Sequence, residues 1–596
     1  MQAQDLLALD TLSLQQLPGQ QHLVINHYTN QRTILRADLL PFLRLCESFR
    51  TLQEHQQAIT ASLNDPRLSS AAVTDWLNHL RHTGMLLNAQ QWLERTQNSR
   101  RVAEQDSDLD WVLAIITCDR PMLLQRLLNS TITHIKTLNR HPVKVLLLDD
   151  SRQKDHQVVN RSHWANWLNQ CELQGEYWDR EARSDLCKRL QQSGMAKEAQ
   201  TIDWLLSPNA HATETSTPGQ TRNLALLLSA GRRLLLLDDD CVLDPRAHAQ
   251  RCQSPHIGSL PVQLMGFGDQ AALNQAMKPI DVNPFDSHLR HLGKHPQDVL
   301  GQLEQNWQDP TWLRTLDPIA RKRLNGNTRV SVTVNGTCGD PGTEHMDWLY
   351  TRPSDCLTQL GQYLQQFSKR DQIERCFWRG YNQPVLTYDE NLMTTTLTGL
   401  DNRLLLPCML PAGRNEDLVL GNGITTLHPD ALFLIDSWSL PHHPEPVRYW
   451  QRPTLGATSP MPGLGYVIAR SMHNSPLNTT IHEPLTRIEC LAHYYHSLAT
   501  LATPQLTAEL EQDYLRVKTV ELAVYRINQA SNQTTGSHWQ RDLAVLIEQA
   551  NQAIAQPRHL DTPWLKTFRE TAEQYAKALL LWPRLRECTI ESHMIP

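Results

Sequence analysis

The sequence predicts an α/β protein with a mostly parallel sheet at its centre, a small α+β unit before it and a helical region after it. Three stretches carry that prediction. Arg232 to Asp244, RRLLLLDDDCVLD, reads as a buried strand of leucines that ends at once in Asp238, Asp239 and Asp240. Trp111 to Ser151 reads as strand, helix, strand: WVLAIITCDRP, then PMLLQRLLNSTITHIKTL at helical spacing, then VKVLLLDDS. The tail from about Pro484 to Glu591 holds amphipathic stretches such as YLRVKTVELAVYRI and DLAVLIEQANQAIA, whose default role is a core or homo-oligomer contact.

Composition narrows the function classes. With 596 residues, 40% apolar and 20% charged, the chain is globular and long enough for several domains. A formal net charge of -6 gives no global attraction to nucleic acid or to anionic membrane, so neither is an expected partner. The twelve cysteines form no CxxC pair and no Cys/His ladder at zinc spacing, which suits reduced thiols of a cytoplasmic protein. The start, MQAQDLLALDTLSLQQLPGQ, carries acids and lacks a continuous apolar core, so it does not read as a signal peptide. No apolar run is long enough for a transmembrane helix.

Residues 1–100 read as a unit of their own. HLVINHY and RTILRA are strand-like, and ADLLPFLRLCESF, LQEHQQAITASL and AAVTDWLNHLRHTGMLL have helical spacing. Two strands with three helices suggest a winged helix. The order of elements and the phrase FRTLQEH, Phe49 to His55, resemble the small winged-helix domains that capture leader peptides in ribosomal-peptide maturation systems. That resemblance implies a peptide adding along an edge strand near Leu23 to Tyr28. A docking or oligomerisation module is the alternative. The third helical stretch offers only Arg81 and two histidines, too few bases for a phosphate-contacting helix. Gln91 to Ser107 lacks an apolar period and reads as a linker.

In the strand, helix, strand unit that follows, the crossover is right-handed and the strands' carboxyl ends share one sheet edge, where ligands of open parallel sheets bind. Asp119, Asp149, Asp150 and the Asp238–Asp240 cluster are therefore brought near each other by topology. Three adjacent carboxylates repel, and a hard divalent cation between them is one relief; a solvated acidic turn is the other. Thr217 to Gly231, TPGQTRNLALLLSAG, starts a helix that runs into the central strand. Arg222 and Asn223 lie in its first turn, where free N–H groups and the dipole favour anions, and an arginine there suits a diphosphate.

IITCDRP, DDS, GQTRN and LLLLDDD, in this order, are similar to the nucleotide-sugar-dependent glycosyltransferases of the GT-A fold, most of all the family 2 group. The resemblance implies a Rossmann-like catalytic domain over 108–483, with a long insert at about 245–400, and a helical region at 484–596. It implies a UDP- or GDP-sugar donor, an acceptor glycan, peptide or small molecule, and Mn²⁺ or Mg²⁺ as cofactor. Carried over, Thr117, Asp119, Arg120, Asp149 and Asp150 line the nucleoside pocket, and Arg222 and Asn223 receive the diphosphate. Asp238 and Asp239 face the ribose and sugar, and Asp240 with Asp238 holds the metal.

In PCMLPAGRNEDLVLGNGI, Pro407 to Ile424, the same resemblance makes Asp417 the general base and Glu416 its support. A carboxylate suits that role because it is ionised at neutral pH and can take the acceptor's proton. The alternative is an acid at a helix start, with Asn415 as the cap. In SLPHHPEPVRYW, His442 and His443 are the two candidates to complete the metal site, and imidazole beside carboxylates suits Mn²⁺ more than Ca²⁺. His288, His291 and His295 are interrupted by Gly293 and Pro296 and do not read as a zinc site. Gly339, Asp340 and Gly342 read as a turn near the acceptor side. The expected function is glycosyl transfer with inversion. The alternatives are a nucleotidyltransferase, although TCDRP has no glycine-rich phosphate loop, and a catalytically silent scaffold that binds sugar nucleotides.

Overall fold

The computed structural model describes residues 6–62, 69–97, 110–211, 217–252, 254–303, 305–307, 309–343, 346–352, 357–368, 372–389, 396–451, 463–477, 481–531, 537–556 and 560–591. Strands β1 (Trp111–Thr117), β2 (Lys144–Asp149), β3 (Glu176–Trp178) and β4 (Arg233–Asp238) are parallel, in the spatial order β3-β2-β1-β4. The chain then adds β5 (Gln263–Gly266), β6 (Arg329–Gly339), β7 (Phe377–Gly380), β8 (Val385–Thr387), β9 (Leu397–Asp401) and β10 (Ala431–His442). Strand β9 lies antiparallel between β4 and β6, and β6 pairs with β10 in parallel. The result is a large mixed sheet whose path β3-β2-β1-β4-β9-β6-β10 contains one reversed strand, β9.

The leucine run of β4 is continuous because both faces of the strand are covered. Leu234 and Leu236 join one core, and Leu235 and Leu237 join the other. Strand β1 splits in the same way, Val112, Ala114 and Ile116 against Trp111, Leu113 and Ile115. Period-two alternation thus persists inside runs that look uniformly apolar. Helices α1 (Pro121–Lys136) and α2 (Lys154–Cys171) cover one face, and α3 (Pro218–Leu228) covers the other. Proline opens both α1 and α3, where a missing N–H costs nothing.

The C-terminal helices brace the 402–408 segment after β9 rather than standing apart. Within the Thr562–Glu591 helix, Tyr575 donates to the Cys408 carbonyl at 3.0 Å, Trp582 to that of Leu406 at 2.7 Å and Arg586 to that of Leu404 at 2.8 Å. The Thr503–Ser531 and Ser537–Ala555 helices pair with each other and hold the insert, where Asn528 donates to the Tyr350 carbonyl at 2.8 Å.

In the N-terminal unit, Leu12–Leu17, Gln21–Asn26 and Arg32–Arg36 form a three-stranded antiparallel sheet, one strand more than the sequence suggested. Gln21–Asn26 is the middle strand, paired on both sides. This corrects the expected edge near Leu23 to Tyr28: its backbone groups are already taken, and the open edges belong to Leu12–Leu17 and Arg32–Arg36. The unit also shares a core with the insert. Trp92 packs against Trp307 and Trp312, ring centroids 6.1 and 6.0 Å away, and Arg321 donates to the Leu9 carbonyl at 2.6 Å.

Candidate active site

The carboxyl ends of β1 and β4, the first turns of α3 and of α4 (Glu416–Leu427), and the ends of β6 and β10 enclose a cavity of about 720 Å³. Thr117, Arg120, Asp150, Arg222, Asp238 and Asp240 line one half. Glu416, Asp417 and His442 reach the same space from later in the chain.

Helix α3 is what draws the two halves together. A Cβ at Gly219 would overlap the Leu410 carbonyl, so only glycine allows the close approach. Gln220 N–H donates to the Pro411 carbonyl at 3.1 Å, and Asn223 binds the backbone of Met409 through both ends of its amide. The chain is thereby pinned just before Glu416. Arg222 then ion-pairs with Asp238 at 2.9 Å and with Glu416 at 3.0 Å, all three largely buried. Burial works against the Arg222 charge, but Asp238 and Glu416 outweigh it and raise its pKa. Burial also lifts Glu416 above the ordinary carboxylate range, with Arg222 opposing.

Asn415 occupies the N-cap position that the sequence suggested, with the acids Glu416 and Asp417 in the first turn. Its φ is 72°, in the left-handed region, and its side chain makes no capping bond. That conformation turns the chain so that Glu416 and Asp417 open α4 beside the cavity. Asp119, at the end of β1, also has positive φ, 53°.

The three aspartates at the end of β4 each find a cation. Asp238 has Arg222; Asp239 has Arg120 at 2.6 Å and the Thr117 hydroxyl at 2.6 Å; Asp240 has Arg120 at 2.9 Å and His442 Nε2 at 3.3 Å. Burial pushes Asp239 up, whereas His442 and Arg120 override burial at Asp240 and hold it well below the usual range. His442 Nδ1 lies 2.5 Å from the Asp340 carbonyl, which can only accept, so Nδ1 carries the hydrogen and Nε2 faces Asp240. His443 contributes backbone instead. Its N–H donates to the Asp240 carbonyl at 2.9 Å, and burial pushes its ring down to about 4.

Asp240 and His442 thus place one carboxylate oxygen and one imidazole nitrogen 3.3 Å apart, with the histidine's other nitrogen anchored on a carbonyl. Among the described residues no group of three His, Cys, Asp or Glu side chains is arranged around a metal position. Carboxylate and imidazole are donors that a divalent cation would accept, and these two residues would hold it.

Several expected residues are put to other use. Asp149 is buried, accepting from Ser151 N–H, Asn160 and Tyr177, and it does not reach the cavity. Asp119 holds the following loop through Arg152 and Gln153 N–H groups. Asn223 and Asp239 lie behind the wall, and Asp150 lines it while accepting from Arg180, Arg183 and Thr217. The insert histidines each have a separate partner: Thr333 for His288, Gln302 for His291, the Asn325 carbonyl for His295. Burial pushes the three down to about 3, 4 and 4, so they are neutral core residues.

Arg379, Thr396, Arg448 and Tyr466 also line the cavity without having been expected there, as does Asp340, whose function the sequence left open. The one available signal was the arginine inside the apolar strand FWRG. No protein-family model, curated protein or solved structure matches the chain. Among the described residues no helix is long and apolar enough to cross a membrane.

Proposed function

We propose that the chain is a metal-dependent glycosyltransferase of GT-A type that moves a sugar from a UDP- or GDP-sugar to an acceptor hydroxyl or thiol. The observation that carries this reading is the convergence of Asp238, Asp240 and His442 with Asp417 on one cavity at the carboxyl edge of the sheet. In this reading Asp240 and His442 hold Mn²⁺ or Mg²⁺ with the donor diphosphate. The cation supplies Lewis-acid stabilisation of the departing diphosphate. Arg120 and Arg222, already at the wall, add fixed positive charge where negative charge develops. Asp417 takes the acceptor proton while the acceptor oxygen or sulfur bonds to the anomeric carbon and the bond to the diphosphate breaks. Direct displacement inverts that carbon.

Thermal shift across a panel of UDP- and GDP-sugars, with and without Mn²⁺, tests donor binding. The expected result is stabilisation by at least one donor that requires the metal. Stabilisation that is unchanged in excess EDTA would contradict the metal assignment, and the absence of any nucleotide effect would contradict the donor class.

A further inference from the structure

Arg379, like Arg152, Arg414 and Arg448, is a cavity arginine that the scheme above leaves unused. It sits in β7, between β5 and β6, flanked by buried Phe377, Trp378 and Gly380. An inner strand has no packing use for a guanidinium. The side chain reaches the cavity wall instead, as does Thr337, its cross-strand partner on β6. Arg120 and Arg222 are engaged by carboxylates, but among the described residues the Arg379 guanidinium makes no ion pair and no side-chain hydrogen bond.

Burial pulls Arg379 below the ordinary arginine range, and Tyr381, Asp417 and Asp389 oppose it. Arg222, in contrast, responds to Asp238, Glu416, Asp417 and Asp240. Asp417 is therefore the carboxylate common to both arginines, with the nucleotide half around Arg222 and a second half around Arg379. Keeping a half-buried guanidinium charged with no hydrogen-bonded carboxylate among the described residues is costly, and an incoming anion recovers that cost. Its planar fork matches a carboxylate or a phosphate through paired hydrogen bonds.

We propose that Arg379 receives a carboxylate or phosphate group of the acceptor, so that the enzyme acts on an anionic acceptor. This rests on the reading of Asp417 as the base that faces the acceptor. A neutral acceptor would offer the guanidinium no paired hydrogen bonds of this kind, which gives the site its selectivity.

Calorimetric titration of the full chain with glucuronate, glucose 6-phosphate and glucose, at saturating UDP or GDP with Mn²⁺, tests the proposal and separates carboxylate from phosphate. At least one anionic sugar should bind about ten-fold more tightly than glucose, a difference of about 1.4 kcal/mol. Arg379→Gln should erase that preference, Arg379→Lys should keep part of it, and nucleotide affinity should be unchanged in both. Equal binding of charged and neutral sugars, or a preference that survives Arg379→Gln, would overturn the proposal. A preference that vanishes once nucleotide is saturating would also overturn it, by assigning Arg379 to the diphosphate. If neither nucleotide binds, the glycosyltransferase reading falls, and the same titration without nucleotide still decides the anion site.

Discussion

The side-chain amide of Asn223 clamps the backbone of Met409, donating to its carbonyl at 3.0 Å and accepting from its N–H at 2.8 Å. Both groups are buried, and the clamp fixes the segment that delivers Glu416 and Asp417 to the aspartates at the end of β4. The GQTRN run is thus a joint between two halves of a site, with Arg222 as its charged member.

Asn223→Ala should lower stability by about 2 kcal/mol, since two buried hydrogen bonds are lost and the Met409 groups are left without partners. Turnover should fall further than nucleotide affinity, because the acid pair loses its support while the ends of β1 and β4 keep theirs. Urea denaturation beside nucleotide titration measures both. An unchanged midpoint would show that the 407–411 segment is held by other contacts.

Asp240→Asn should remove the strengthening of UDP or GDP binding by Mn²⁺, as one of two metal donors is lost. It should also lower the melting temperature, because the amide no longer balances Arg120 and His442 in a buried setting. Calorimetry with and without Mn²⁺ checks both. A raised melting temperature would mean that repulsion among the three carboxylates outweighs their cations.

Asp436, on β10, is buried and accepts from the Ser287 hydroxyl at 3.2 Å, and burial pushes its carboxyl up to about 6. The native state therefore holds this proton more tightly than the unfolded chain. Its contribution is full below about pH 4 and is lost as pH rises toward 6, roughly 3 kcal/mol in all. Asp436→Asn should gain on the wild type over that interval and be the more stable protein at pH 7. Parallel stability curves from pH 4 to 7 would contradict the shift.

The legible parts of the sequence were those where packing and chemistry wrote the same pattern. Strands β1, β2 and β4 are apolar because both faces are covered, and the aspartates at the end of β4 stand out because nothing in a core asks for them. Strand β6 was hidden by Ser331, Thr333 and Asn335, buried polar residues that break its apolar run. Leu12–Leu17 was hidden by its exposure, with little of the strand facing a core. Strand order is not written in local pattern at all, so the middle strand Gln21–Asn26 passed for an edge. Asn223 passed for a phosphate contact because a residue in a helix's first turn can serve a neighbouring backbone as readily as an anion. Arg379 could only be placed once β7 was seen between β5 and β6.

Nucleoside diphosphate release from UDP- and GDP-sugars with Mn²⁺, followed across hydroxyl and thiol acceptors in the wild type and in Asp417→Asn, tests the assignment of Asp417 most directly. The wild type should show acceptor-dependent release, and Asp417→Asn should lower it by about 10²- to 10⁴-fold with nucleotide affinity unchanged. A near-normal rate in Asp417→Asn, or a wild type that binds nucleotide and releases nothing with any acceptor, would contradict it.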